Sequence, residues 1–313
     1  MGIAEILPKY RHLKRRIAQA AAATLAENPA ALITIDSPDF CLRVARIVKA
    51  ARPDLKTIHY VAPSVWAWRP GRAAKMARYI DHVLALLPFE PPLMQAAGIS
   101  CDFVGHPVVA DPLAAKTPQE SLLILALPGS RRGEVVRLAP VIGETLGLIK
   151  AQHPTARVAV PTVRGVVDLV REISQSWPIQ PQIIENADEK RAAFANATVA
   201  IAASGTVSLE LAANACPMVI AYRMNPLTMW LMKRAALIDT VTLVNLVSET
   251  RHVPEFLGPE CRAAAIAPVL HTLMQPGAQR DAQLAAMALT MARLGKGGEP
   301  PGLRAARSVL AQL

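Results

Sequence analysis

The sequence predicts an α/β protein of two doubly wound domains with parallel sheets, and three observations carry that expectation. Short apolar runs recur along the chain in the manner of strands buried on both faces, without the alternation of a half-solvated sheet. Helix-length segments lie between most of them, giving the βαβ rhythm that leads to parallel pairing. A chain of 313 residues, 52% of them apolar, is long enough for two medium domains, each with its own core.

The strands expected in the first domain are "ALITID" (31–36), "TIHYVA" (57–62) and "HVLALLP" (82–88). In the second they are "SLLILALP" (121–128), "ARVAVP" (156–161), "VAIAAS" (199–204) and "PMVIAYR" (217–223). Among the helices, "EVVRLAPVIGETLGLIKAQ" sets Val135, Leu138, Ile142, Leu146 and Ile149 near one face, with Pro140 and two glycines predicting a weak point or bend. The stretch "HPVVADPLAAKTPQES" (106–121) holds three prolines and no clear period, and reads as the linker. The expected division is therefore 1–118, 119–290, and a C-terminal helix in 291–313 returning toward the first domain.

Lys and Arg total 34 against 24 Asp and Glu, so the net charge of +10 favours anionic partners: nucleic acid, phosphorylated small molecules or an acidic membrane surface. Nucleic acid is disfavoured, because aromatics are only 4% of residues and no aromatic-basic motif or long Lys/Arg block occurs. Cys41, Cys101, Cys216 and Cys261 lie far apart, with no pair at metal-ligand or redox spacing, and read as reduced, packed thiols. No uncharged apolar run is long enough to span a bilayer and no signal-peptide pattern opens the chain, so the expected location is cytoplasmic.

In doubly wound sheets ligands bind beyond the carboxyl ends of the strands, which directs attention to the residues after each apolar run. "LALPGSRRGEV" ends a strand in Pro128-Gly129-Ser130-Arg131-Arg132-Gly133. Its glycines admit an anion close to the backbone, and Ser130 and the arginines supply donors for phosphate oxygens. An ordinary strand-to-helix turn with solvated arginines explains the same residues. "AIAASGTVSLELA" turns at Ser204-Gly205-Thr206 into a helix. Its backbone N–H groups suit a phosphate, and Glu210, one turn on, could accept hydrogen bonds from two ribose hydroxyls. A common N-cap followed by a first-turn glutamate is the plainer alternative. In "LITIDSPDF", Asp36 and Asp39 stand just past a buried strand, as a general base or as caps of the next helix.

Taken in order, "LITIDSPDF", "TIHYVAPSVWAWRPGRAAKMAR", "VLALLPFEP", "FVGHPVV", "LALPGSRRGEV", "AASGTVSLELA", "CPMVIAYRMNPLTMWLMKR" and "VTLVNLVSETRHVPEFL" closely resemble the lipid-A-disaccharide synthase family. The resemblance runs from Met1 to about residue 265. It implies a GT-B glycosyltransferase, with two Rossmann-like domains facing an interdomain cleft and no metal or other cofactor. The reaction implied is transfer of 2,3-diacylglucosamine from its UDP derivative to the 6′-hydroxyl of 2,3-diacylglucosamine 1-phosphate (lipid X), with inversion and release of UDP.

Carried onto this chain, the resemblance makes Asp36 the leading candidate for the base, with Asp39 in reserve, and Arg131 the group that neutralises the departing diphosphate. Ser130, Ser204, Gly205, Thr206 and Glu210 would hold the donor, Asn245 would line its cleft, and Glu255 matches a further polar position of the family. Trp66, Trp68 and Arg69, with Arg72, Lys75 and Arg78 spaced along a following helix, could hold acyl chains and a phosphate. Core tryptophans beside a solvated basic face fit the same pattern. Because both implied substrates carry acyl chains, the expected place of work is the cytoplasmic face of the inner membrane. In "MGIAEILPKYRHLKRRIAQ", Ile3, Ile6 and Leu7 precede a basic run including Lys14, Arg15 and Arg16, which suits an anionic interface or an ordinary surface helix. The resemblance leaves a homo-oligomer open.

Family members begin with a strand and a Gly-Glu-x-Ser-Gly-Asp loop that "MGIAEILPKY" follows, so the expectation is that the first βα units of the N-domain are missing. Two other readings stay open: another UDP-GlcNAc-dependent GT-B enzyme, and a catalytically silent UDP- or lipid-binding module.

Overall fold

The computed structural model describes residues 10–118, 121–224, 234 and 236–313, and these form two compact units. One comprises residues up to Pro107 together with Gly297–Leu313, and the other comprises Val108–Lys296. The break falls before the boundary at residue 118 read from the sequence. Residues past Pro107 belong with the second unit, where the Thr117 backbone N–H and hydroxyl both donate to the Asn196 side chain.

The first unit runs α1 (Tyr10–Glu27), β1 (Ala31–Ile35), α2 (Pro38–Ala51), β2 (Lys56–Tyr60), α3 (Gly71–Met76), β3 (His82–Ala85), α4 (Glu90–Ala96) and β4 (Ser100–Phe103), and is completed by α12 (Pro301–Leu310). Its strands pair in parallel in the order β1-β2-β3-β4. One face carries Leu32, Val83, Ala85 and Cys101 against Leu42 and Ala45 of α2, Met76 of α3 and Met94 of α4. Ile17 and Ala21 of α1 seal the outer side of α2 at Val44 and Val48. On the opposite face Ile58 and Leu84 meet Ala305 and Val309 of α12. That helix is tied down by Ser308, whose hydroxyl lies 2.8 Å from His82 Nε2 and donates to Asp102 at 2.6 Å. Ile33 and Ile35 of edge strand β1, on the face that α12 packs against, remain 47% and 64% exposed.

The second unit runs β5 (Leu123–Leu127), α5 (Arg132–Gln152), β6 (Arg157–Pro161), α6 (Val167–Ser174), β7 (Gln182–Ile184), α7 (Ala187–Asn196), β8 (Val199–Ala203), α8 (Val207–Ala213), β9 (Met218–Tyr222), α9 (Leu243–Ser248), β10 (Glu255–Leu257), α10 (Ala263–Met274) and α11 (Ala278–Arg293). Its six strands are all parallel, in the order β10-β9-β8-β5-β6-β7. This is the doubly wound dinucleotide-fold order, whose direction of winding reverses between β5 and β8. β5 and β8 are buried along their whole lengths, as their unbroken apolar runs require.

All seven strands read from the sequence are present; β4, β7 and β10 are additional. The stripe Val135, Leu138, Ile142, Leu146 and Ile149 is buried, and α5 continues through Pro140. Gly143 has a packing reason: a Cβ there would lie 2.5 Å from the Trp177 ring, so the glycine lets the indole rest on the helix. α11 runs past the boundary at residue 290 to Arg293. Cys101, Cys216 and Cys261 are buried and Cys41 is half-buried; burial pushes the Cys101 and Cys216 thiols up to about 12. Among the described residues no helix is long and apolar enough to cross a membrane.

Candidate functional site

The second unit holds a pocket of about 470 Å³ lined by Gly129, Ser130, Arg131, Glu134, Thr162, Lys190, Phe194, Ser204, Gly205, Thr206 and Glu210. It therefore lies beyond the carboxyl ends of β5 and β8, at the reversal point of the sheet, where open α/β folds place their ligands. Two loops far apart in sequence, 128–131 and 204–206, meet here because their parent strands are neighbours.

The first loop is built around Glu134. Its Oε2 accepts the backbone N–H groups of Ser130 and Arg131 at 3.2 and 3.3 Å, and its Oε1 accepts from the Arg131 guanidinium at 2.7 Å. Arg131 is the N-cap of α5 and Glu134 its third residue, an arrangement that ties donors at the helix start to one carboxylate. Gly129 makes this closure feasible: its φ is +109°, and a Cβ would sit 2.5 Å from Glu134 Oε2. The Arg131 side chain stays 61% exposed, reaching toward solvent at the pocket rim.

The second loop is anchored from outside the pocket. Ser204 Oγ donates to the Val241 carbonyl at 3.1 Å, and the Val241 N–H is held in turn by Glu255 at 3.1 Å. Glu255 also accepts from the Thr242 N–H at 2.9 Å and from the Thr240 hydroxyl. Thr206 stands at the N-cap of α8 without a side-chain capping bond and lines the pocket. Glu210 faces the pocket from the first turn, with Lys190 of α7 at 2.6 Å from its Oε2.

Asn245 does not join this wall. It is 1% exposed, its Nδ2 donates to the Val253 carbonyl at 2.9 Å, and its Oδ1 accepts the Val253 N–H at 3.0 Å. Its amide braces the 240–253 segment instead of lining the pocket, and Glu255, at the start of β10, does similar work on residues 240–242. A buried amide that satisfies another residue's backbone twice leaves no periodic trace in a sequence, and the Glu255–Val241–Ser204 relay, whose partners only the fold brings together, could not be read there either.

On the first unit, Asp36 follows β1 directly, exposed at the carboxyl end of the strand, with its N–H donated to Tyr60 O at 2.9 Å. Asp36, Ser37, Val61 and Arg69 all have positive φ (49°, 43°, 78° and 56°). Left-handed backbone at a β-branched residue such as Val61 is strained, and such strain collects at functional edges. Ser37, not an aspartate, is the N-cap of α2, whereas Asp39 pairs with Arg72.

Trp66 and Trp68 are both half-buried but differently engaged. The Trp66 indole N–H donates to Glu90 Oε1 at 3.1 Å, and its ring meets Phe89 edge-on at 5.4 Å. Glu90 is 3% exposed, and its Oε2 accepts the Leu86 and Leu87 N–H groups; burial pushes its carboxyl up to about 7. Trp68 carries the Arg69 guanidinium 4.0 Å above its ring. The helix expected to align Arg72, Lys75 and Arg78 ends at Met76, because α3 is short and Arg78 falls in the turn beyond it. Lys75 and Arg78, with Arg46, Lys49 and Tyr79, instead line a cavity of about 460 Å³. Lys49 is matched by Asp81 at 2.7 Å, whereas among the described residues no carboxylate pairs with Arg46, Lys75 or Arg78, which also line the cavity. Arg11, Lys14, Arg15 and Arg16 are exposed on α1; Ile3, Ile6 and Leu7 lie outside the described residues. Among the described residues no three His, Cys, Asp or Glu side chains gather as a metal cluster would.

Solved structures place this architecture in the GT-B fold. The UDP-GlcNAc 2-epimerase from Neisseria meningitidis bound to UDP-GlcNAc matches with a TM-score of 0.67 at 12% identity, over 96% of this chain and 81% of that one. The S. aureus MnaA–UDP complex matches with a TM-score of 0.66 at 12% identity, over 96% and 80%. The sequence is more specific. A family profile described as lipid-A-disaccharide synthetase matches residues 1–296. The lipid-A-disaccharide synthase of Ruegeria pomeroyi is 58% identical over 100% of this chain and 82% of its own length, and that of Rhodospirillum centenum is 42% identical over 99% and 80%. The chain belongs to the lipid-A-disaccharide synthase family.

Proposed function

We propose that the chain is a glycosyltransferase of lipid A biosynthesis. It moves 2,3-diacylglucosamine from its UDP derivative to the 6′-hydroxyl of 2,3-diacylglucosamine 1-phosphate, giving the disaccharide 1-phosphate and UDP. The single observation that carries this reading is the pocket at the sheet reversal of the second unit, where loops 128–131 and 204–206 and the Glu210 carboxylate converge in a chain of this family.

In this reading the donor's diphosphate sits against the Ser204-Gly205-Thr206 backbone and the Thr206 hydroxyl, and Glu210 accepts the ribose hydroxyls. The acceptor hydroxyl loses its proton to Asp36 as its oxygen bonds to the anomeric carbon; the bond from that carbon to the diphosphate oxygen breaks on the opposite face, with inversion. The negative charge that collects on the departing UDP is met by Arg131 and by Ser130. Arg131 must then exchange its Glu134 contact, wholly or in part, for the phosphate. Positive charge comes from side chains and backbone N–H groups, so the reaction is read as independent of metal. Trp66, Trp68 and Arg69 are assigned to the acceptor side of the first unit, with the Trp66 ring fixed by Glu90.

Acylated substrates call for a membrane surface. The exposed cations of α1 and the cavity carrying Arg46, Lys75 and Arg78 support docking on anionic lipid at the cytoplasmic face of the inner membrane. The test is a transfer assay in mixed micelles with an Asp36→Asn variant in parallel. Loss of product with UDP binding kept supports the base assignment, and an unchanged rate removes it.

A further inference from the structure

We infer that Lys190 is a positioning residue for the donor site: it holds the Glu210 carboxylate in the orientation that accepts the ribose hydroxyls, and so sets the preference for a ribonucleotide donor. The inference rests on the reading of Glu210 as the ribose ligand.

Lys190 lies on α7 and Glu210 on α8, and their charged ends meet at 2.6 Å. Lys190, Phe194 and Glu210 line both the 470 Å³ pocket and a second cavity of about 290 Å³ bounded by Val108, Leu113 and Asn214. The ion pair is thus part of the wall between two hollows. A glutamate here without a partner could swing its carboxylate into either one, since its side chain has three rotatable bonds and open space on both sides.

The pairing is itself held. Phe194 is four residues after Lys190 on the same helix, and its ring centroid lies 5.2 Å from the ammonium nitrogen. The neighbouring Arg191 is paired with Asp188, so it does not compete for Glu210. Lys190 engages Oε2, which leaves Oε1 and the outer lone pair of Oε2 for the two ribose hydroxyls. With side chains 43% and 36% exposed, the pair adds little to folding stability; its effect is to restrict one carboxylate before the ligand arrives.

The experiment measures the affinity of the full chain for UDP and for 2′-deoxy-UDP by calorimetry, in wild type, Lys190→Met, Lys190→Arg and Glu210→Gln, with donor KM and kcat for each. The wild type is expected to prefer UDP. Lys190→Met should narrow that preference and raise donor KM by about three- to fivefold at unchanged kcat, the range set by a partly exposed ion pair. Lys190→Arg should restore both. Because the preference is a ratio of two affinities on the same protein, a partly unfolded preparation does not change it. If Glu210→Gln loses the preference while Lys190→Met keeps it, the ribose reading stands and the positioning role is overturned. If Glu210→Gln keeps it, the ribose reading itself fails and the inference with it.

Discussion

Arg131 donates to Glu134 Oε1 at 2.7 Å, and the same carboxylate takes the N–H groups of Ser130 and Arg131 through Oε2. The cation assigned to the leaving group is therefore already held by an internal anion three residues away on its own helix. Removing the guanidinium with Arg131→Ala should lower kcat by about 10²- to 10³-fold, the loss seen when one donor to developing charge is deleted. Donor KM should change little. Arg131→Lys should recover only part of the rate, because an ammonium lacks the planar fork. Steady-state kinetics on the three proteins checks this.

Glu134→Ala should separate the two roles of that carboxylate. Loss of the cap at the start of α5 should lower stability by about 1 kcal/mol, measured by denaturant unfolding. Gly129→Ala should be worse, since the left-handed φ of +109° and the contact with Glu134 both oppose a Cβ.

Asn245→Leu should destabilise the second unit by about 1–3 kcal/mol, because the Val253 N–H and carbonyl lose their partner in a buried place. Since the same segment carries Val241, which anchors Ser204, donor KM should rise although residue 245 touches no ligand. Thermal melts with and without UDP distinguish the two effects.

Glu90 and His59 make opposite predictions for pH. Burial raises the Glu90 carboxyl to about 7, above its value in the unfolded chain, so the stability it contributes is complete at acid pH and is lost as pH rises toward 7. His59 is lowered to about 4 by burial, so its contribution holds above the ordinary imidazole range and is lost as pH falls through it. Unfolding free energies at pH 5 and pH 8 should therefore differ between wild type and Glu90→Gln, with the wild type losing more on going to pH 8.

The two groups of cations on the first unit should respond to lipid charge. Replacing Arg46, Lys75 and Arg78 by Gln, or Lys14, Arg15 and Arg16 by Gln, should weaken sedimentation with vesicles containing anionic lipid by at least about tenfold, at roughly 1 kcal/mol per cation. Added salt should reduce wild-type binding in the same direction. Binding that is unchanged in both variants would leave these cations as ordinary solvated surface.

Much of the second unit was legible because its strands are buried on both faces: "LILAL" and "VAIAA" are unbroken apolar runs, and the Gly- and Ser-containing turns after them mark where each strand ends. β4, β7 and β10 escaped because "SCDF", "QII" and "EFL" are short or mixed, and their pairing is set by neighbours already in place. The two loops of the pocket could be named from the sequence, but their meeting depends on β5 and β8 being adjacent. Partners such as Glu134, Lys190 and Glu255 are common residue types whose role exists only in three dimensions.

The most direct test of the account is the transfer reaction itself. Purified chain, UDP-2,3-diacylglucosamine and 2,3-diacylglucosamine 1-phosphate are combined in mixed micelles, with and without EDTA, and UDP release and disaccharide formation are followed together. The account predicts equal amounts of UDP and disaccharide, undiminished by EDTA and lost in Asp36→Asn. UDP release without disaccharide, or a reaction abolished by EDTA and restored by a divalent cation, would contradict it.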